Sequence, residues 1–385
     1  MGIKRILPVI VLSQFLCTSL WFAGNAVMNS LARDFKLGET ALGHITSAVL
    51  FGFIVGTLVY AVFNIADRFS PVLVFLLSAI AGGLFNLGMI LEDMDLNKIL
   101  IFRFLTGFFI AGIYPVGMKI AADYYQQELG RSLGFLVGAL VLGTAFPHLL
   151  AGFSIALPWR FVIISTSGLA VLGGVLMFAL VPDGPHREAR SKLDLSVLFK
   201  VFRDRDFKAA AFGYFGHMWE LFAFWAFIPV MLATYGALNP ETRLNVSMMS
   251  FLIIGIGGPA CVLAGYISRK AGAKRTASAS LFLSFACCVL SPLLFYMHPA
   301  ALVAFLLFWG LTVVADSPMF STLVARNARP ESKGTALTVV NFVGFSITII
   351  SVELINALQG SIDPRYMYII LAAGPFLGLM ALRKK

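Results

Sequence analysis

Long apolar runs separated by short polar gaps fill this sequence from one end to the other. A helix needs roughly 20 mostly apolar residues to cross about 30 Å of hydrocarbon, and twelve runs have about this length. The apolar residues are continuous and do not alternate with polar ones, which excludes a membrane β-barrel. The twelve predicted transmembrane helices lie at about 6–28, 42–64, 71–91, 98–121, 131–153, 160–181, 209–234, 247–267, 275–296, 299–322, 334–358 and 365–382.

The longest polar stretch, Pro182 to Lys208, divides the predicted helices into six and six. We therefore predict an N-terminal six-helix bundle over 1–182, a cytoplasmic linker over 183–208 and a C-terminal six-helix bundle over 209–385. The predicted fold class is an all-α integral membrane protein of two pseudo-symmetric bundles.

The two halves share features at a constant spacing. Pro115 and Pro318 are 203 residues apart, and so are Glu128 and Glu331. An even number of spans in each half gives both repeats the same orientation in the membrane. Many secondary transporters are built from such parallel repeats, with the substrate site between them near the bilayer midplane.

The composition supports a membrane protein and excludes an ordinary soluble domain. Hydrophobic residues make up 59% of the 385 residues and charged residues 12%, against about 25% charged in typical soluble domains. The net charge of +10 lies in the gaps between apolar runs, so it indicates topology and gives no reason to expect nucleic acid as a partner. The four cysteines lie inside apolar runs without metal-ligand spacing.

Lysine and arginine are distributed very unevenly between the two sides of the predicted membrane. With the N-terminus inside, 21 of the 29 fall in cytoplasmic segments and 6 on the opposite side. Short cytoplasmic loops carry such an excess. We predict a multi-pass protein of a bacterial-type inner membrane with both termini in the cytoplasm.

The loops after the second helix of each half resemble the loop signature of the major facilitator superfamily. In the first half, Asp67-Arg68 matches the acid–Arg pair of that signature. In the second half, Gly272, Lys274 and Arg275 match its glycine and paired basic residues, and Arg269 stands where the family has an acid. The resemblance implies that these loops take part in gating.

Helices 4 and 5 extend the resemblance to essentially the whole chain. Helix 4 carries Arg103 followed by the spaced glycines Gly107 and Gly112, as in the family's helix-4 pattern. Helix 5 is similar to the family's antiporter motif, but Phe146 replaces the glycine before Pro147, so we do not assign the drug–proton antiporter class. The resemblance implies the twelve-helix fold and secondary transport by alternating access, and it leaves the substrate open.

Helix 1 carries a polar stripe formed by Gln14, Thr18, Trp21 and Asn25. Spacings of three and four residues keep these side chains on one helical face. We predict that they line a substrate cavity, because the resemblance places helix 1 there. The alternative is hydrogen bonding between helices, worth about 0.6 kcal/mol per pair.

Arg103 lies inside helix 4, where an unpaired guanidinium would cost at least a few kcal/mol. We predict that it holds an anionic substrate, with Tyr114 on the same face; the alternative is a structural partner for a carbonyl or an acid. Lys119, near the end of helix 4, is expected to reach the membrane interface with its ammonium group.

Helix 7 supplies the strongest candidates for proton coupling. Glu220 lies near mid-span, where its charged form is disfavoured, and His217 is one turn away. Glu220 is the predicted proton carrier and His217 a relay, with a buried packing pair as the alternative. His217 and Trp225 are also assigned to the substrate site. Asp316, before Pro318 on helix 10, is the second predicted proton carrier, and could pair with Arg103 or Lys119.

These features favour a secondary active transporter that couples a small solute to the proton. An organic anion or polar metabolite is the first choice of substrate. Efflux of an amphipathic or cationic compound, a membrane sensor without turnover and an intramembrane enzyme are the alternatives. The sequence contains no nucleotide-binding, metal or nucleophile motif, so we expect no enzyme activity, no cofactor and no metal. The expected partners are the substrate, the proton and the lipid bilayer, and we expect a monomer.

Overall fold

The computed structural model describes residues 5–125, 129–153, 158–187, 202–328 and 333–383. Within these ranges every regular element is a helix, which agrees with the predicted fold class. The chain forms two compact units, Met1–Lys192 and Leu193–Lys385. The division between the units falls inside the predicted linker, of which residues 188–201 lie outside the described ranges.

The helices of the first unit follow the predicted runs, with breaks that the apolar pattern does not show. They are α1 (Ile6–Thr18), α2 (Ala23–Ala26), α3 (Met28–Phe35), α4 (Ala41–Val62), α5 (Ile65–Arg68), α6 (Pro71–Leu87), α7 (Leu96–Ile110), α8 (Tyr114–Tyr124), α9 (Leu129–Phe153) and α10 (Arg160–Leu180).

The second unit contains the longest helix among the described residues, the 34-residue Arg205–Leu238, which is capped by Asp204. Its helices are α11 (Arg205–Leu238), α12 (Val246–Gly255), α13 (Gly257–Ala271), α14 (Ala273–Leu290), α15 (Pro299–Ala315), α16 (Ser317–Asn327), α17 (Lys333–Leu358) and α18 (Ala373–Arg383). A 3₁₀ segment, Met367–Ala372, leads into α18.

Ten described helical segments are long and apolar enough to cross a membrane, and some of them, such as Leu96–Tyr124, consist of two consecutive helices. Two shorter apolar helical segments, Ile6–Thr18 and Met367–Arg383, correspond to the first and last predicted helices. The prediction of one continuous helix over 6–28 is wrong, because the chain forms turns at residues 19–22. Large apolar side chains such as Phe153 and Leu377 are more than 60% exposed, as expected of a surface that faces lipid.

The spacing of 203 residues recurs in the structure. Helix α8 begins at Tyr114 and α16 at Ser317, and both carry proline in their first turn. Proline lacks the amide proton that would continue the preceding helix, so a break before it is expected in each half. Glu128 and Glu331, the second predicted pair, lie outside the described residues.

Glycines at the same spacing allow equally close helix contacts in the two halves. A Cβ atom added to Gly107 would lie 1.9 Å from the carbonyl oxygen of Val49, and one added to Gly310 would lie 1.9 Å from that of Ile253. Only glycine fits at such an approach, and small residues are the usual means of bringing membrane helices together.

Candidate functional site

The second unit buries three ionisable side chains close together along α11 and the turn before α16. Glu220 and His217 are each 1% exposed, and Asp316 is fully buried. His217 and Glu220 lie three residues apart on one face of α11. Asp316 occupies the turn that Pro318 makes between α15 and α16. The sequence predicted these three residues as the coupling group, and the structure places them in one unit.

Glu220 receives three hydrogen bonds on a single carboxylate oxygen. Its Oε1 accepts from Ser284 Oγ at 2.5 Å, from Trp309 Nε1 at 2.6 Å and from Cys288 Sγ at 3.2 Å. All three donors are neutral groups. In the described part of the chain no lysine, arginine or histidine forms an ion pair with Glu220.

His217 contacts the second acid of the cluster. Its Nδ1 lies 2.8 Å from Asp316 Oδ1, although the two groups lack the alignment of a hydrogen bond. The rings of Tyr214 and Phe320 flank the imidazole, each at 6.0 Å between centroids. His217 was predicted to relay a proton to Glu220. In the structure the ionisable group that contacts its imidazole is Asp316.

Several aromatic side chains of the second unit pack against one another near this cluster. Trp225, a predicted substrate-site residue, is fully buried on α11, with its ring 5.1 Å from that of Phe222. Phe222 also contacts Phe345 at 5.3 Å, and Phe224 contacts Trp309 at 4.6 Å. These rings provide apolar surface, which the hydrogen bond of Trp309 connects to Glu220.

In the first unit, Arg103 is fully buried and bound to fixed acceptors. Its NH1 donates to the carbonyl oxygen of Leu20 and to Asn86 Oδ1, each at 3.1 Å, and its NH2 donates to the carbonyl oxygen of Trp21. Leu20 and Trp21 lie in the turns that interrupt helix 1. The guanidinium thus satisfies carbonyls that the break leaves without helical partners. These contacts favour the structural alternative weighed for Arg103.

Asn86 extends this network to α10. Its side-chain nitrogen donates to Ser167 Oγ at 2.9 Å and to Thr166 Oγ1 at 3.2 Å. Arg103 Nε has no hydrogen-bond partner in the part of the chain that the structure describes. Three of the five N–H donors of this guanidinium are bonded, two on NH1 and one on NH2, so the Nε proton and one NH2 proton have no partner among the described residues.

The predicted polar stripe of helix 1 is buried, and its members differ in how they are satisfied. Thr18 Oγ1 donates to the carbonyl oxygen of Gln14 at 2.8 Å, and Asn25 Nδ2 donates to Thr46 Oγ1 at 2.7 Å. The amide of Gln14 has no hydrogen-bond partner on either atom among the described residues. It lies against Gly117, where an added Cβ would come within 2.2 Å of its oxygen. Trp21 is buried and Tyr114 half-buried.

The predicted gating loop of the first unit is held by ion pairs. Lys119 Nζ lies 3.0 Å from Asp67 Oδ1 and 3.5 Å from Asp123 Oδ2, and its side chain is only 8% exposed. Lys119 was predicted to extend toward the membrane interface, and the structure adds that two carboxylates bind its ammonium group. Arg68 is exposed. Arg187 donates to the carbonyl oxygen of Phe69 at 2.8 Å.

The corresponding loop of the second unit lacks such pairing. Arg269, Lys274 and Arg275 are exposed, and none has an acidic partner among the described residues. The guanidinium of Arg269 lies 5.4 Å from the Tyr266 ring. Gly272 adopts a φ of 86°, which suits glycine at the start of α14.

Sequence reasoning missed four residues that complete these sites. Asn86, Ser284, Cys288 and Trp309 contact the predicted charged groups directly. The only available signal was the four-residue spacing of Ser284 and Cys288, which puts both on one face of α14. Small and aromatic residues of this kind are ordinary in membrane helices, so the spacing alone could not distinguish them.

The sequence model of the Major Facilitator Superfamily matches residues 10–352. The chain belongs to this family. The family consists of membrane transporters, and the matched range covers nearly all of the described helices. The two-fold recurrence of breaks and glycine contacts is the arrangement expected of a major facilitator.

Two curated transporters are similar to this major facilitator in sequence. The bicyclomycin resistance protein homologue of Haemophilus influenzae is 23% identical over 371 residues, covering 93% of this chain and 88% of that protein. The 4-hydroxybenzoate transporter PcaK of Acinetobacter baylyi is 31% identical over 128 residues, covering 31% of this chain and 27% of that protein.

Two solved structures share the fold over nearly the full length. A bacterial homologue of the human lysosomal transporter Spinster, in an inward-facing and unoccupied conformation, gives a TM-score of 0.72 at 14% identity, covering 99% of this chain and 97% of that chain. The nucleoside transporter NupG gives 0.74 at 15% identity, covering 98% and 100%. At these identities the likeness establishes the fold alone.

Proposed function

We propose that this major facilitator is a proton-coupled secondary transporter in which Glu220 takes up and releases the transported proton during alternating access. The observation that carries the proposal is the burial of Glu220 among neutral donors, with no cationic side chain bonded to it in the described residues. A carboxyl group at membrane depth is costly when ionised and is usually functional.

The contacts of Glu220 make its charge depend on the proton. Ser284, Cys288 and Trp309 can donate to the carboxylate and also to the neutral acid, so neither state forces the site apart. Proton binding at Glu220 therefore changes the net charge of the whole cluster by one unit. A change of this size can bias a two-state transporter.

The substrate that we propose first is a small organic anion or polar metabolite. The buried amide of Gln14 offers a free donor and a free acceptor, and a buried polar group without partners costs about 1–3 kcal/mol unless a ligand or water satisfies it. Thr18, Trp21, Asn25 and Tyr114 remain candidates beside it. The name of PcaK, a 4-hydroxybenzoate transporter, agrees with an aromatic organic anion.

Efflux of an amphipathic or cationic compound is the second candidate. The aromatic rings of Trp225, Phe222 and Trp309, of which Trp309 contacts Glu220, suit a positively charged molecule. The similarity to a bicyclomycin resistance protein homologue agrees with export of a foreign compound. Flux of labelled substrates in both directions distinguishes uptake from efflux, and binding without any flux would indicate the sensor.

We also propose an inner-membrane location with both termini in the cytoplasm, on the basis of the lysine and arginine bias. Cysteine introduced at Ser191, which lies outside the described residues, should resist an impermeant thiol reagent added to intact cells. It should react once the cells are opened. Rapid labelling from outside would reverse the orientation.

The test of Glu220 is paired flux measurement in proteoliposomes. The Glu220→Gln variant keeps the shape and cannot carry a proton, so it should lose pH-driven accumulation by about tenfold or more while it still exchanges substrate across a membrane without a gradient. Asp206→Asn is the matched control, because Asp206 is an exposed carboxylate on the same helix. Undiminished pH-driven flux in a folded Glu220→Gln protein would refute the proposal and make Asp316→Asn the next variant to measure.

A further inference from the structure

The hydrogen bonds to Glu220 are concentrated on one oxygen, and this asymmetry determines where a proton can reside. Ser284, Cys288 and Trp309 all donate to Oε1, at 2.5, 3.2 and 2.6 Å. We infer that these three residues are positioning residues that keep Oε1 an acceptor in both states of Glu220, so that the transported proton is carried on Oε2. The inference rests on the proposed role of Glu220 as the proton carrier.

The donor capacity of each partner supports this assignment. The indole N–H of Trp309 can only donate, so the atom facing it must accept a hydrogen bond whatever the protonation state. A protonated carboxyl oxygen has its own O–H bond in one of the two in-plane directions from which donors approach, so it leaves less room for three donors than the carbonyl oxygen does. An unprotonated carbonyl oxygen of a carboxylic acid can accept these contacts without bearing the proton. Proton loading at Oε2 therefore leaves all three hydrogen bonds in place, and loading at Oε1 would break at least one.

The positions of the donors are fixed by packing. Trp309 is fully buried on α15, and its ring contacts Phe224 at 4.6 Å and Phe305 at 6.2 Å between centroids. Ser284 and Cys288 are buried one turn apart on α14, so both reach the same side of α11. Glu220 thus joins three helices through one atom and retains a second oxygen for the proton.

The proton balance of the step is simple. A proton adds to the Glu220 carboxylate at Oε2 and forms an O–H bond. On release this bond breaks and the carboxylate regains its negative charge. The donor protons of Ser284, Cys288 and Trp309 do not move. Hydrogen bonds to a charged group are stronger than those to a neutral one, so the donors favour release. The titratable groups around Glu220 are His217 on its own helix, Cys287 and Cys288 on α14, and Asp316 before α16.

Infrared difference spectroscopy of the reconstituted protein, recorded between acid and alkaline buffer, tests the assignment without using transport. A carboxyl C=O band that is missing in Glu220→Gln belongs to Glu220. If Oε1 is the carbonyl oxygen, removing a donor in Trp309→Phe or Ser284→Ala should move this band to higher frequency. Trp219→Phe is the matched control, because the Trp219 N–H donates to the carbonyl oxygen of Ile370 and not to Glu220. It should leave the band in place.

Flux provides a second readout. Loss of one donor should move the pH of half-maximal proton-driven flux upward by about one unit in Trp309→Phe, and Trp219→Phe should not move it. Cys288→Ala, which removes the longest of the three bonds, should show the smallest shift and serves if the tryptophan variant does not fold.

The outcomes separate this inference from the proposed function. A Glu220 band that stays fixed in both Trp309→Phe and Ser284→Ala would show that Oε1 is not the carbonyl oxygen and would overturn the inference, while proton coupling through Glu220 would stand. A spectrum without any Glu220 band, together with full flux in Glu220→Gln, would overturn both.

Discussion

The two halves of this transporter bury charge in opposite ways. In the first unit the buried cation Arg103 donates to two backbone carbonyls and to the Asn86 amide. In the second unit the buried acid Glu220 accepts from three neutral side chains, and His217 stands beside Asp316. The two units share breaks and glycine contacts 203 residues apart, so this difference in chemistry is built on a common scaffold.

The comparison indicates that similar burial does not imply a similar role. The partners of Arg103 are acceptors that neither give up nor take a proton at ordinary pH, so we expect this residue to hold helix 1 in place. The partners of Glu220 are compatible with both of its states. A buried charge with permanent acceptors should therefore be needed for folding, and one with neutral donors should be needed for coupling.

Replacing Arg103 should have the largest effect on stability. Arg103→Leu leaves three buried acceptors without a donor, each worth about 1–3 kcal/mol, so the variant should unfold at a much lower temperature or fail to accumulate. Arg103→Lys keeps the charge but cannot span the same acceptors, and it should be intermediate. Thermal unfolding in detergent measures both, with Arg33→Leu, an exposed arginine, as the control.

The same variants decide between the two interpretations of Arg103. If it holds helix 1, Arg103→Lys lowers the unfolding temperature and the folded fraction binds substrate as the wild type does. If it binds an anionic substrate, Arg103→Lys keeps its stability and loses affinity. The second result would mean that the buried charges of the two halves do not differ in role as proposed.

Glycine substitutions should sharpen the comparison, because they test the part of the scaffold that the halves share. Gly107→Ala and Gly310→Ala both drive a methyl group into a backbone oxygen at 1.9 Å, so each should destabilise the protein by about 3 kcal/mol. Gly168→Ala in α10 and Gly265→Ala in α13 are the controls, since nothing lies within 4 Å of either added Cβ. Markedly unequal losses at Gly107 and Gly310 would show that the repeat does not extend to these contacts.

Much of the fold could be predicted from the sequence because bilayer thickness imposes a length on each apolar run. The proline spacing of 203 residues was also visible, since backbone constraints are local. The break in helix 1 was not predictable, because residues 19–22 are as apolar as their neighbours and Arg103, which binds the carbonyl oxygens of the break, lies about 80 residues away in the chain.

The ionisable residues of the site could be predicted from the sequence, but the residues that bind them could not. Ionisable residues are so rare in apolar runs that Glu220, His217 and Asp316 stand out in the sequence. Ser284, Cys288 and Trp309 resemble ordinary packing residues, and only three-dimensional proximity distinguishes them. The ion pair between Lys119 and Asp67 could not be predicted, because Asp67 lies in another segment of the chain, beyond the reach of any spacing rule.

The smallest expected effect contrasts the two predicted gating loops. Lys119→Met removes the partner of Asp67 and Asp123, whose side chains are 14% and 11% exposed. The change should lower the free energy of unfolding by about 1–2 kcal/mol, because these carboxylates lie near the end of the span, where water can replace part of the lost interaction. Lys274→Met, in the corresponding loop of the second unit, removes an exposed lysine without an acidic partner among the described residues and should leave stability unchanged.

Unfolding temperatures at low and high salt provide the measurement. Since Lys119 is shielded from solvent, its contribution should change little with salt. Equal, salt-sensitive losses in the two variants would mean that both loops behave as ordinary surface charges and that the ion pairs of the first unit do not set it apart.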